Sequence, residues 1–202
     1  SSYVNISGRV ASGILVTIDS YGGDGMKAAQ SGNIANINIS YIEFVGPPNK
    51  TGLGQGRYGI NIAPSTNTVN NLVIDHCYIH QWCEAFRACN WNNVTIQYCK
   101  ISDTDTDNID HADVAYNYPS TNVTFRYNSI FNSPVDGIFF EYGGAVNWDF
   151  YGNIYLNSTN HLIFFKSPGT YGPIYIFNNV FHAPTTADYA YSTTNGSTID
   201  AA

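Results

Sequence analysis

The chain has 202 residues, of which 11% are charged and 15% aromatic, and its formal net charge is -7. That length suits one domain with a sizeable core, and aromatic richness with so little charge excludes a disordered chain. Eight basic residues scattered along an acidic chain argue against a nucleic-acid partner, because phosphate binding needs clustered Lys and Arg, and no apolar run approaches the roughly 20 residues of a membrane-spanning helix.

In chain order, "YVNISGR" at 3–9 reads as strand and turn, and "GILVTID" at 13–19 as a second strand. Two phrases then alternate. The first begins with Asn and alternates apolar and polar residues up to an aromatic one. Its copies are "NINISYIEF" from Asn36, "NLVIDHCYIHQW" from Asn71, "NVTIQYCKISDT" from Asn93, "NVTFRYNSIFNS" from Asn122, "NWDFYGNIYL" from Asn147 and "PIYIFNNVFH" from Pro173. The second phrase lies between them: "DGMKAA", "YGINIA", "EAFRAC", "ADVAYN", "DGIFFE" and "HLIFFK", centred on Met26, Ile60, Phe86, Val114, Ile138 and Ile163. Alternation is the period of a strand with one buried face. Short strands recurring in step every 22 to 35 residues predict a solenoid, because one turn cannot bury its face alone. Residues 1–185 are expected to form it, and 186–202 a polar tail that caps or links. No amphipathic capping helix precedes the first strand, which fits a piece of a longer protein, a tail folded over one end, or head-to-tail self-association into a fibre.

Aligning the copies puts Ile42, Cys77, Cys99, Asn128, Asn153 and Asn179 in one column. The three asparagines are expected to form a ladder in a tight turn, where Asn tolerates the left-handed conformation. The preceding column reads Tyr41, His76, Tyr98, Tyr127, Tyr151 and Phe177. Strand alternation predicts an internal aromatic stack; an outward sugar-binding platform is the alternative. Cys77 and Cys99 fall on adjacent turns about 4.8 Å apart, as buried thiols or a single disulfide. Cys83 and Cys89 are too far apart along a strand to pair, and no CxxC pair points to zinc.

Chemistry is sought on the second phrase. One outward column is expected to read Lys27, Asn61, Arg87, Ala115, Phe139 and Phe164, and another Ala29, Ala63, Cys89, Asn117, Glu141 and Lys166. Glu84, Arg87, Glu141 and Lys166 on one ribbon stand out in a charge-poor chain. The bland account is solvated strand ends and weak cross-turn ion pairs. The acidic loop "DTDTDNIDHADV" at 103–114 crowds carboxylates that repel unless a cation or protons intervene. Asp103, Asp105, Asp107 and Asp110 are the candidate Ca2+ ligands. The opening imitates an EF-hand loop, but Val114 stands where a bidentate Glu is required. An exposed acidic loop is the alternative.

The phrases "NVTIQYCKI", "NVTFRYNSI" and "PIYIFNNVF" resemble the coil sentence of right-handed parallel β-helix repeat proteins of the pectate-lyase-like superfamily, over about residues 3 to 182. The resemblance implies an all-β, right-handed parallel β-helix of about six to seven coils. It implies little about activity, since many chemistries and several non-enzymes share such a fold. Hydrolases of this kind use clustered Asp as acid and base; lyases use Arg or Lys as base beside a uronate, often with calcium. Carried onto this chain, Arg87 or Lys166 would be the base and His111 an acid or base. Asp110, Asp113 and Glu141 would be ligands or partners, with Asp113 one turn from Arg87. The chain holds no full hydrolase Asp set and no unambiguous lyase motif.

Two functions follow. One is a secreted, extracellular solenoid that engages or displays polysaccharide, stacking as a structural fibre unit without catalysis. The other is a lyase or glycoside hydrolase acting on uronic-acid-containing polymers. Sequons start at Asn5, Asn38, Asn49, Asn93, Asn122, Asn157 and Asn195, with N-glycans expected at Asn5, Asn49, Asn157 and Asn195.

Overall fold

The structure, a computed structural model, describes residues 4–8, 14–17, 23–28, 32–47, 58–63, 67–104, 112–133, 137–140, 144–157, 163–165, 171–182 and 191–193. Every regular element among them is a strand. Three seven-stranded parallel sheets wind into a β-solenoid. The first stacks Val4–Ser7, Ile34–Ser40, Val69–Asp75, Trp91–Gln97, Ser120–Arg126, Ala145–Tyr151 and Ile174–Phe177. The second stacks Ile14–Thr17, Ile42–Val45, Tyr78–His80, Lys100–Ser102, Ser129–Phe131, Ile154–Leu156 and Val180–His182. The third stacks Met26–Lys27, Tyr58–Ile62, Glu84–Ala88, Ala115–Asn117, Ile138–Phe140, Ile163–Phe165 and Tyr191–Thr193. The last strand lies within the span read from sequence as a tail and pairs with Ile163–Phe165.

The alternation read from sequence is the burial pattern. In Trp91–Gln97, Trp91, Val94 and Ile96 are buried and Asn92, Thr95 and Gln97 face out. The interior fills in vertical rows, such as Ile74, Ile96, Phe125 and Phe150, none more than 2% exposed. Each such side chain contributes about 1.5–3 kcal/mol by leaving water. Indole N–H groups inside this core are satisfied by carbonyls: Trp82 donates to Phe44 at 3.0 Å and Trp148 to Ser120 at 3.2 Å.

The asparagine at the head of five of the six first phrases has a backbone reason. Asn36, Asn71, Asn93, Asn122 and Asn147 all have φ between 54° and 58°, the left-handed region in which Asn is favoured. The kink lets two successive residues face out before the alternation resumes. Their amides also bond between turns: Asn71 donates to Asn36 at 2.9 Å, Asn93 to Asn71 at 2.7 Å and Asn147 to Asn122 at 2.7 Å.

A second, interior ladder forms where it was expected. The Asn128 side chain donates to Asn153 Oδ1 at 3.0 Å, and Asn153 to Asn179 Oδ1 at 3.0 Å. The same oxygens accept backbone N–H groups: Asn128 N to Asn153 Oδ1 at 2.9 Å, and Asn153 N to Asn179 Oδ1 at 2.9 Å. One detail differs from expectation. The left-handed residue of this turn is the one before the ladder asparagine, namely Tyr127, Gly152 or Asn178. Above the ladder, Cys77 and Cys99 are buried free thiols. Burial holds the Cys99 thiol far above its ordinary pKa, while its hydrogen bond lowers that of Cys77.

Candidate functional site

The first and second sheets meet at a corner turned by one left-handed residue per turn: Tyr41, His76, Tyr98, Tyr127, Gly152 and Asn178, with φ from 50° to 67°. Their N–H groups bond to carbonyls of the next turn, as in Tyr98 N to Arg126 O at 3.3 Å and Tyr127 N to Tyr151 O at 3.1 Å. This corrects two expectations. The aromatic column faces solvent, with Tyr98 48% and Tyr127 45% exposed, because a left-handed residue interrupts the alternation that would have sent it inward. Tyr151 and Phe177 also stand one column away, since Tyr151 pairs with Arg126 and Phe177 with Tyr151. The buried asparagines set the register, so Gly152 and Asn178 occupy the corner.

Along that corner the rings stack. Centroids are 4.9 Å apart for Tyr41 and His76, 4.9 Å for His76 and Tyr98, and 5.2 Å for Tyr98 and Tyr127. Tyr151 then meets Tyr127 edge-on at 5.4 Å. Beside the rings runs a polar row. Asp75 accepts from Gln97 at 2.9 Å, Gln97 accepts from Arg126 Nε at 2.8 Å, and Arg126 donates to the Tyr151 hydroxyl at 2.8 Å. That last bond raises the Arg126 pKa further. Asp75 also holds His76 Nδ1 at 2.9 Å.

Next to this corner, on the outer face of the second sheet, lies an open groove of about 470 Å³. Tyr98 and Tyr127 form one rim, and Phe131 and Leu156 the other. Between them, Lys100, Ser129 and Ile154 are consecutive partners in the sheet. The small Ser129 between two long neighbours leaves the depression. Ile154 and Leu156 are 41% and 39% exposed, an apolar surface beyond what scattered surface residues require. The Lys100 ammonium sits 4.3 Å from the Tyr78 ring centroid and 5.0 Å from that of Phe131.

Adjoining the groove is a cluster of ionisable groups. His80 Nε2 lies 3.0 Å from Glu43 Oε1, and its ring stacks on Tyr78 at 4.1 Å. The Ser102 hydroxyl donates to Asp103 Oδ2 at 2.6 Å, and Asn132 donates to Asp103 Oδ1 at 2.9 Å. Burial acts to raise the Asp103 pKa. The two hydrogen bonds, with the nearby His80 and Lys100, outweigh it and hold the carboxyl below its ordinary value.

Of the sequence-predicted catalytic residues, His111, Glu141 and Lys166 lie outside the described residues, as do the calcium candidates Asp105, Asp107 and Asp110. Asp103 is hydrogen-bonded as above. Among the described residues no group of three His, Cys, Asp or Glu is placed to hold a metal. Arg87 is half-buried on the third sheet, its guanidinium 5.3 Å from the Tyr58 ring centroid and 5.5 Å from that of Tyr118. Asp113 is wholly buried.

The register there also differs from expectation. Arg87 pairs with Tyr116, and Ala115, not Val114, shares the apolar row with Phe86. Asp113 is thus three residues, or about 10 Å of strand, from the position opposite Arg87. Asn117, expected outside, is 1% exposed and pairs with Ala88 and Phe140. Glu84 and Asn61 are buried too, and Asn61 donates to Asp24 at 2.9 Å. The outward ribbon of charge on the second phrase is therefore reduced, among the described residues, to Lys27 and Arg87.

Sequence reasoning missed Lys100, Ser129, Phe131, Ile154 and Leu156. The signal was present: after Asn128 and Asn153 the next three residues alternate out, in and out, although after Cys99 the third, Ser102, is buried.

Fold and groove together define a parallel β-solenoid with an aromatic-rimmed depression on one outer face. No family model matches the chain, and comparison with curated proteins and with solved structures gives no match.

Proposed function

We propose that this solenoid is a secreted, pectate-lyase-like β-helix that engages carbohydrate on the outer face of its second sheet. The observation that carries this reading is the ring row from Tyr41 to Tyr127, which borders the groove at its Tyr98 and Tyr127 end. The ring faces are spent on one another. What the row turns outward is ring edges and hydroxyl tips, which hydrogen-bond sugar hydroxyls while Ile154 and Leu156 take the apolar C–H faces. Rings already held in a stack lose little freedom on binding, which favours affinity.

The test is titration of purified protein with a panel of neutral and acidic oligosaccharides by calorimetry. Tyr98→Ala with Tyr127→Ala should weaken binding about tenfold or more, with the circular dichroism spectrum retained. Failure to bind any glycan at millimolar concentration removes the reading.

A further inference from the structure

We infer that Tyr98 and Tyr127 form a site of oxidative tyrosine coupling, at which a haem peroxidase with hydrogen peroxide joins the two rings by a carbon–carbon bond across consecutive turns of the solenoid. The inference rests on the geometry of the corner and is independent of the carbohydrate reading.

The pairing of Gln97 with Arg126 puts the two tyrosines on adjacent turns, about 4.8 Å apart along the stack. Both backbones are held at positive φ, 53° and 56°, and both N–H groups are bonded to the following turn. The ring centroids are 5.2 Å apart and the planes 16° from parallel. Tyr98 and Tyr127 are 48% and 45% exposed, so a one-electron oxidant reaches either ring. Among the described residues this is the stacked pair in which both rings are phenols. On the other side of Tyr98 stands His76, and Tyr127 lies over the bare backbone of Gly152. Tyr151 meets Tyr127 edge-on at 86°, and its hydroxyl is tied to Arg126. The phenol face presented to Tyr127 is therefore that of Tyr98.

Each phenol gives up one electron and its hydroxyl proton, the proton passing to water. The two electrons and two protons reduce one peroxide to two waters. In each phenoxyl radical the unpaired electron is shared with the Cε carbons, ortho to the oxygen. A Cε–Cε bond forms between the rings, and the hydrogens of the joined carbons are replaced by protons on the oxygens, which restores both phenols. The product lacks two hydrogens and keeps both hydroxyls. Radicals held in contact couple faster than radicals that must meet by diffusion. The bond closes a loop through one turn and constrains the unfolded chain as a disulfide does.

The experiment treats dilute folded protein with a haem peroxidase and hydrogen peroxide. The monomer is expected to lose two hydrogens by intact mass and to gain dityrosine fluorescence. Proteolysis should then yield the peptides of Tyr98 and Tyr127 joined. Tyr98→Phe and Tyr127→Phe, which keep the rings, should each abolish the product, and Tyr151→Phe should leave it. The yield should be about tenfold or more above that of the urea-unfolded chain, because only the fold holds the rings together. The chain carries 16 tyrosines, so the mapped linkage decides. A monomer of unchanged mass, a link between other tyrosines, a product found only between molecules, or equal yield from the unfolded chain overturns the inference.

Discussion

A β-carbon on Gly152 would stand 2.5 Å from Cδ1 of Tyr127. The last ring of the exposed stack thus lies on bare backbone, and Gly152 keeps a φ of +67° that other residues resist. Gly152→Ala is expected to lower stability by at least the about 1–2 kcal/mol of a left-handed alanine. It should also displace the Tyr127 ring and weaken glycan binding. Thermal melts of Gly152→Ala, and of the same change combined with Tyr127→Ala, separate the two terms. Removing the ring should recover the steric part, and no recovery would show that Tyr127 does not press on this position.

Asn153 occupies the middle of the interior ladder. Asn153→Ala leaves Asn128 N–H and amide donors without their acceptor, and the Phe125 carbonyl without the donor now 2.8 Å away. Orphaned buried groups cost about 1–3 kcal/mol each. Denaturant unfolding should show a loss of several kcal/mol, larger than for Asn179→Ala, where the side chain is half-buried. Equal losses would mean that the ladder gains nothing from depth.

The depressed pKa of Asp103 links stability to acid. Its ionised form is favoured by folding, so its contribution is complete above the ordinary value of 3.8. It is lost as pH falls through the lower folded value. Unfolding midpoints of the wild type should therefore drop below about pH 4, and Asp103→Asn should flatten that part of the profile. An unchanged slope in the variant would assign the acid sensitivity to other carboxylates.

Tyr155 presents the opposite case. It is 1% exposed, its hydroxyl finds no hydrogen-bond partner among the described residues, and burial pushes its pKa far up. Its column otherwise holds Ile79, Ile101, Ile130 and Phe181. Tyr155→Phe is expected to stabilise by up to about 1 kcal/mol, because it removes a desolvated hydroxyl and keeps the ring. A destabilised variant would reveal a partner for that oxygen.

The pattern of Asn128, Asn153 and Asn179, together with alternating phrases every few dozen residues, was sufficient to predict stacked parallel turns. Both signals are local: an inward side chain every second residue needs only the pleat, and an amide ladder needs only one turn above another. Lys100 and its groove were legible in principle, since the second sheet alternates as simply as the first. Charge drew attention instead to Glu84 and Asp113 beside the third sheet, where folding buried them.

What the amino-acid order determined by itself is the winding of the chain, because periodic burial admits few other solutions. What only the folded solenoid decided is sidedness at the corners. A single residue at positive φ reverses the phase of everything beside it, and nothing in the string marks Tyr98 or Tyr127 as the residue that turns. Register places Tyr151, Phe177 and Ala115 one residue from the columns read from sequence, because it follows the backbone bonds between turns rather than likeness of side chains.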